Sequence, residues 1–334
     1  DIEDLIKEET CVFTRTHCGY IKRVPADTFR AQKRGGRGIT GMTTREEDYV
    51  EDLFVASTHD YILFFTSKGK VYRLKGYEVP EGSRTSKGMN IINLIEVEQD
   101  ESITAMIRVH EYDDDKFLTM ATRRGIVKRT SMRDYNTARK GGLRAIVLDE
   151  DDELVDVRLT DGTDTLIIGT HDGMAIHFHE TDVRTMGRVT RGVRGIHLGG
   201  GDYVVGMSRA AAGASLLAVT EHGYGKRTAI AEYKTQTRGG KGLRNYAVSG
   251  KTGKVVGIRA VDADDDIMLI SSDGIIIRMQ LDAIPLIGRS TQGVRLMRLQ
   301  PDVSIVNFAV TERAAEEPEQ AEADGAPEPD AEPV

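Results

Sequence analysis

The sequence predicts an all-β chain of six repeats stacked into a closed disc, and three observations predict it. A Ser/Thr-x-x-Gly signature recurs six times, with its glycine at Gly19, Gly69, Gly125, Gly173, Gly223 and Gly274. Successive copies lie 50, 56, 48, 50 and 51 residues apart. A second glycine follows each one, at Gly38, Gly88, Gly142, Gly192, Gly242 and Gly293, 19 residues on in five units and 17 in the third. Between these markers the apolar runs are about five residues long, too short for helices and right for strands. A repeat near 50 residues is one supersecondary unit that cannot bury both of its faces alone, so neighbours must stack.

Within each unit four strands are expected, in order. The first is an apolar run ending at the Ser or Thr, as at 61–66, 165–170 and 267–271. The x-x-Gly that follows is hairpin chemistry, with glycine taking the positive φ that other residues avoid. The return strand is apolar and often ends in a base, as at 20–23, 70–73, 126–129 and 275–278. A longer loop leads through the second glycine into a third strand (89–95, 143–148, 294–299). A fourth closes the unit at 103–109, 154–159, 204–208, 255–260 and 305–310. Such short, evenly spaced strands suit a propeller-like disc of six four-stranded sheets. Residues 1–9 read as a short helix or linker remnant, and 10–311 as the disc. Residues 312–334, rich in Ala, Glu and Pro, bury too little apolar surface to offset ordering and read as a disordered acidic tail. The first residue is Asp1, which predicts a piece of a longer polypeptide.

Net charge is −8, but residues 314–334 carry eight acids and no base, so the body carries no net formal charge. Where its charges sit therefore matters more than their sum. The loops around the second glycines hold bases and no acids. They carry Arg30, Lys33, Arg34 and Arg37; then Arg84 and Lys87; then Arg139, Lys140 and Arg144. The later three carry Arg184, Arg188, Arg191 and Arg194; Lys234, Arg238, Lys241 and Arg244; and Arg289, Arg295 and Arg298. Acids cluster in other loops, at 113–115, 149–153 and 264–266. Equivalent basic loops on one side of a disc form a positive band. Such a band suits the backbone of duplex DNA, with little base readout. Aromatics are sparse there, which disfavours single-strand stacking. Neutralising on the order of ten to fifteen phosphates implies a log–log salt slope of about −9 to −14.

Candidate chemistry elsewhere is thin. Gly250-Lys251-Thr252 lacks the upstream glycine of a phosphate loop, since position 245 is Asn. His177 and His179 share one strand face without further ligands in sequence and read as surface histidines. Cys11 and Cys18 flank a strand as idle thiols, and two cysteines fit a reducing cytoplasm. The acidic clusters lack metal-loop spacing. Tyr20, Tyr135 and Tyr246 lack a visible supporting site. No catalytic, metal or cofactor site is expected, and no apolar run is long enough to span a bilayer.

The first basic loop, Gln32-Lys33-Arg34-Gly35-Gly36-Arg37-Gly38, closely resembles the GyrA-box of the C-terminal domain of the bacterial DNA gyrase A chain, part of a type IIA topoisomerase. Arg37 stands where that family usually has Lys. The resemblance covers about residues 10–311, with six units, the box in the first and an acidic tail. It implies a six-bladed β-pinwheel in which neighbouring blades exchange strands. It also implies a domain that wraps duplex DNA around its rim with positive handedness, so that the holoenzyme introduces negative supercoils. By the same resemblance, the ATP and Mg²⁺ chemistry and the catalytic tyrosine lie elsewhere, in a heterotetramer of gyrase A and gyrase B chains associated with the nucleoid. An acidic tail there looks like a competitor for the rim. The rival readings are the equivalent domain of topoisomerase IV, a protein-recognition propeller, and a carbohydrate- or substrate-processing propeller. The intact box and six units argue against the first of these. The unit-five run Gln236-Thr237-Arg238-Gly239-Gly240-Lys241-Gly242 is a near copy of the box.

Overall fold

The computed structural model describes residues 1–16, 18–28, 39–40, 50–112, 115–136 and 141–312, and for 39–40, 50–52 and 311–312 the backbone only. They form six four-stranded antiparallel sheets arranged as the blades of a ring. The helical segments among the described residues are 3-10 turns of three or four residues.

Each blade takes three long strands from one unit and a two-residue strand from the next. Met89–Asn90 of the second unit pairs with Tyr20–Pro25 of the first. Leu143–Arg144, Val193–Arg194, Leu243–Arg244 and Val294–Arg295 extend the second to fifth blades in the same way. The sixth blade receives Ile39–Thr40 of the first unit, which pairs with Ile275 and Ile276 and closes the ring. Sequence periodicity alone predicts one sheet per unit and a longer third strand. The strand ends after two residues because the next two turn inward: Ala145 and Ile146, for example, are buried between blades.

The fourth strands touch one another in succession from the second unit to the sixth, and from the sixth back to the first. They therefore lie at the centre of the ring. The two-residue strands, at the opposite edge of every sheet, lie on its perimeter. Six buried apolar clusters fill the six gaps between adjacent blades. One joins Phe13 and Ile21 of the first blade to Phe64 and Tyr72 of the second. Another joins Val12 and Val24 of the first to Met268 and Ile276 of the sixth. Burial of each blade thus depends on both neighbours, which makes closure part of the core.

The N-terminal residues lie against this ring. Glu9 and Thr58 bond each other through backbone and hydroxyl, and Lys75 pairs with Glu3 at 3.1 Å.

Candidate nucleic-acid interface

The recurring signature is the device that seats each perimeter strand. In all six units the Gly N–H donates to the carbonyl of the Ser or Thr three residues before it. The hydroxyl of that residue accepts the N–H four residues on, as Thr66 does from Lys70 at 3.2 Å and Thr170 from Met174 at 3.0 Å. A β-bulge sits at or beside this residue in every blade. The glycine's own carbonyl is then free to receive the incoming strand. Gly69 accepts from Ala145 and Ile146, Gly125 from Gly195 and Ile196, and Gly173 from Asn245 and Tyr246. At Gly173 φ is +89°, and a Cβ would stand 2.6 Å from the Tyr246 carbonyl oxygen. Both its backbone conformation and the close approach require glycine.

On the perimeter strands Arg144, Arg194, Arg244 and Arg295 occupy the same register position, and all four are exposed. Arg84 and Lys241 are exposed in the loops leading into these strands, and Lys87 lies 4.0 Å over the Tyr20 ring. Arg188, Arg238 and Arg289 are half-buried for a shared reason. Each donates to the carbonyl of the perimeter arginine in the preceding unit: Arg188 to Arg144 at 2.5 Å, Arg238 to Arg194 at 2.9 Å and Arg289 to Arg244 at 2.9 Å. These guanidiniums clip successive loops together, and a guanidinium has five N–H donors, more than the clip uses. Arg191 is the exception, because Asp149 of an acidic loop forms an ion pair with it. The acid-free pattern of the sequence is therefore broken in space at Arg191. The heptapeptide Gln32 to Gly38, Arg30, Arg139, Lys140 and the acidic tail lie outside the described residues, apart from Glu312, which ends the last strand.

A family model described as the DNA gyrase C-terminal domain, beta-propeller, matches all six units, at residues 12–57, 60–110, 116–161, 164–211, 214–262 and 265–312. The chain belongs to that family. The DNA gyrase A chain of Clostridium acetobutylicum is 49% identical over 309 residues, which are 92% of this chain and 37% of that one. The chain thus spans about a third of the length of the curated relatives it matches. A solved DNA gyrase A C-terminal domain superposes with a TM-score of 0.84 at 28% identity, covering 91% of this chain and all of that one. The C-terminal domain of a DNA topoisomerase IV gives 0.70 at 26% identity, over 92% and 94% of the two chains.

Several side chains of this gyrase-type domain differ from their sequence reading. His177 is not a surface histidine: it is 7% exposed, with Nδ1 2.9 Å from the Tyr233 carbonyl and Nε2 2.8 Å from Thr165 Oγ1. It stands where the other return strands carry arginine. Arg23, Arg129 and Arg227 bond the carbonyls of Val79, Val183 and Ile284 at 2.8–2.9 Å. Those bases staple the crossing segment to the blade and do not face outward. Tyr135 and Tyr246 are buried, donate to the Ala145 and Gln292 carbonyls, and are held well above the usual phenol range by burial. Asp161, Asp164 and Glu180 bring three carboxylates together. Arg209 pairs with Asp164 and Arg129 with Glu180, so two of the three carboxylates already have a cationic partner.

The sequence reading also missed three lysines. Lys22, Lys128 and Lys226, at one register position of the first, third and fifth return strands, are fully buried. Their recurrence in alternate units was the available signal.

Proposed function

We propose that this chain binds, bends and wraps duplex DNA around its basic perimeter, largely independently of base sequence. The observation that carries the reading is the register of Arg144, Arg194, Arg244 and Arg295, four exposed guanidiniums at equivalent edges of successive blades. Guanidiniums grip phosphate oxygens in forked pairs, and contacts to phosphate carry no sequence information. A duplex following such an edge must curve. Bends of 40–90° cost roughly 1–6 kcal/mol, and several phosphate patches are needed to offset a fuller wrap.

The box at 32–38 is the richest patch in sequence and decides where the wrap begins or ends. The chain then serves a gyrase made of the rest of the gyrase A chain and of gyrase B, whose ATP and Mg²⁺ chemistry lies outside it. There it presents a wrapped segment for strand passage and negative supercoiling in the bacterial nucleoid. In this division residues 10–311 hold the DNA and 312–334 compete for the same edge. The equivalent topoisomerase IV domain is the nearest second reading, favoured by its structural likeness. The intact heptapeptide weighs for gyrase.

The test is energy transfer between dyes at the two ends of a duplex of about 150 bp, one persistence length. The chain is expected to shorten the end-to-end distance, with a salt slope of about −9 to −14. Arg34→Ala with Arg37→Ala should weaken bending more than it weakens affinity for a short duplex. An unchanged distance with the unaltered chain would reject wrapping, and an unchanged response in the double variant would reject the role of the box.

A further inference from the structure

The perimeter loops fall into two alternating kinds. Those of the first, third and fifth units carry paired glycines: Gly35-Gly36, Gly141-Gly142 and Gly239-Gly240. Those of the second, fourth and sixth carry an arginine, then a hydroxyl residue two positions on: Arg84 and Ser86, Arg188 and Thr190, Arg289 and Thr291. In each of these three the hydroxyl folds back on the carbonyl three residues earlier, Ser86 on Ser83 at 3.0 Å, Thr190 on Gly187 at 2.7 Å and Thr291 on Gly288 at 2.6 Å.

Beneath each loop of the second kind lies one buried lysine from the preceding blade. Lys22 Nζ donates to the carbonyls of Ser83, Arg84 and Ser86 at 2.6, 2.9 and 2.9 Å. Lys226 Nζ donates to Gly288 and Arg289 carbonyls at 2.8 and 2.5 Å and to Thr291 Oγ1 at 3.1 Å. Lys128 Nζ donates to the carbonyls of Ala145 and Arg188. The acceptors are carbonyls and a hydroxyl, not carboxylates. Under the glycine-pair loops the same register position holds Tyr72, Ile176 and Ile277.

We propose that Lys22, Lys128 and Lys226, in their ammonium form, are positioning residues that hold the rim loops of the second, fourth and sixth units in the shape that receives DNA phosphates. This rests on the DNA-wrapping reading above. The chemistry follows from donor count. An ammonium offers three N–H donors and no lone pair, which matches the three oxygens around Lys22 and around Lys226 and serves both carbonyls at Lys128 with a donor to spare. A neutral amine has two donors and turns a lone pair toward the third oxygen at Lys22 and Lys226, and at Lys128 it gives up the charge that strengthens both bonds, so the nest loosens when the proton leaves.

The proton is loosely held. Burial lowers Lys22 to about 8, Lys128 to about 7 and Lys226 to about 8. Arg188 opposes the charge on Lys128 and Asp134 favours it, while Arg289 and Glu232 do the same for Lys226. The Tyr246 ring lies 5.0 Å from Lys226 Nζ, and Lys22 has the bases Arg84 and Lys87 in the loop above it. A phosphate arriving on the loop favours the ammonium, so binding draws a proton from the buffer onto each amine that has lost one.

Calorimetry of the 334-residue chain with the duplex at about pH 8.5, in two buffers of different ionisation enthalpy, reads this directly. Uptake of roughly one to two protons per chain is expected. Lys22→Met, Lys128→Met and Lys226→Met should each remove part of it, and the triple variant all of it. At about pH 7 the triple variant should bind about tenfold more weakly, with a salt slope shallower by about 2–4. Circular dichroism checks folding, and the wild-type uptake needs no variant. Bending without proton uptake would overturn the proposal, as would a folded triple variant that keeps both uptake and affinity. A wild-type chain that fails to bend DNA would instead remove the reading on which it rests.

Discussion

Gly242 carries no charged side chain, yet its replacement by alanine should weaken DNA binding. It has φ +76°, and a Cβ there would stand 2.2 Å from the Ala175 carbonyl oxygen and 2.7 Å from the carbonyl carbon. An L-residue in that conformation costs about 1–2 kcal/mol. The clash is with backbone, so the strand it precedes must lift. That strand is held by two residue pairs, Met174 with Arg244 and Ala175 with Leu243. Losing about two ladder bonds adds roughly 1–3 kcal/mol. The expected loss is therefore about 2–5 kcal/mol locally, measurable as a lower urea midpoint. The same displacement unseats Arg238, Lys241 and Arg244, so the salt slope should become shallower by about 2.7, or 0.9 per phosphate contact. Gly200→Ala is the control, since Gly200 is exposed with nothing within 4 Å. If Gly242→Ala matches that control in both midpoint and slope, perimeter strands do not seat the basic residues.

Arg278 and Asp266 form an ion pair at 3.0 Å, with side chains 5% and 0% exposed. Arg278→Met should cost about 3–5 kcal/mol in denaturant unfolding, and adding Asp266→Asn should recover much of it. Arg278 lies in the strand that receives the closing pair Ile39 and Thr40, so hydrogen exchange there should quicken in the single variant. Asp161 accepts from the hydroxyl and backbone N–H of Thr163 at 2.7 and 2.9 Å, which hold its carboxyl at about 2. Its stabilising share is present above the ordinary carboxylate range and is lost as pH falls from about 4 to 2. Thr163→Val should return the carboxyl toward its usual value in an NMR titration, and an unmoved titration would reject that cause. Deleting 314–334 removes eight acids, and the binding isotherm should shift to lower protein concentration if the tail competes for the rim.

Much of the fold was legible because the same local chemistry recurs in every unit. A Ser or Thr three residues before a glycine specifies a bulge, a turn and an open carbonyl, all within five residues of sequence. What periodicity did not reveal was the destination of that carbonyl, a strand of the next unit. The perimeter arginines were legible as charge, but not the clips that half-bury Arg188, Arg238 and Arg289, because their acceptors lie 44 or 45 residues away. The pairing of Asp149 with Arg191, 42 residues apart, was hidden for the same reason. Lys22, Lys128 and Lys226 were harder still. Lysine is normally a surface residue, and the oxygens that admit these three to the interior come mostly from loops 60 to 65 residues downstream. His177 was misread because its role is defined by what arginine does at that position in other units.

On the DNA-wrapping proposal, strand exchange ties DNA contact to ring closure. Among the described residues, the perimeter strands and the basic residues beside them are encoded in one unit and displayed on the edge of the preceding blade, so they report the state of the seams between blades. The heptapeptide ending at Gly38 is followed at once by Ile39 and Thr40, the strand that completes the sixth blade. A force on the first unit's loop is therefore carried straight to the seam that closes the ring. That seam is also a core: Val12, Val24 and Leu53 meet Met268, Ile270 and Ile276 across it. Opening it would expose apolar surface at about 25 cal/mol per Å², a cost much larger than the release of two backbone pairs. The closing strand can then yield while the core between first and sixth blades holds, which confines the response to the outer edge of the ring.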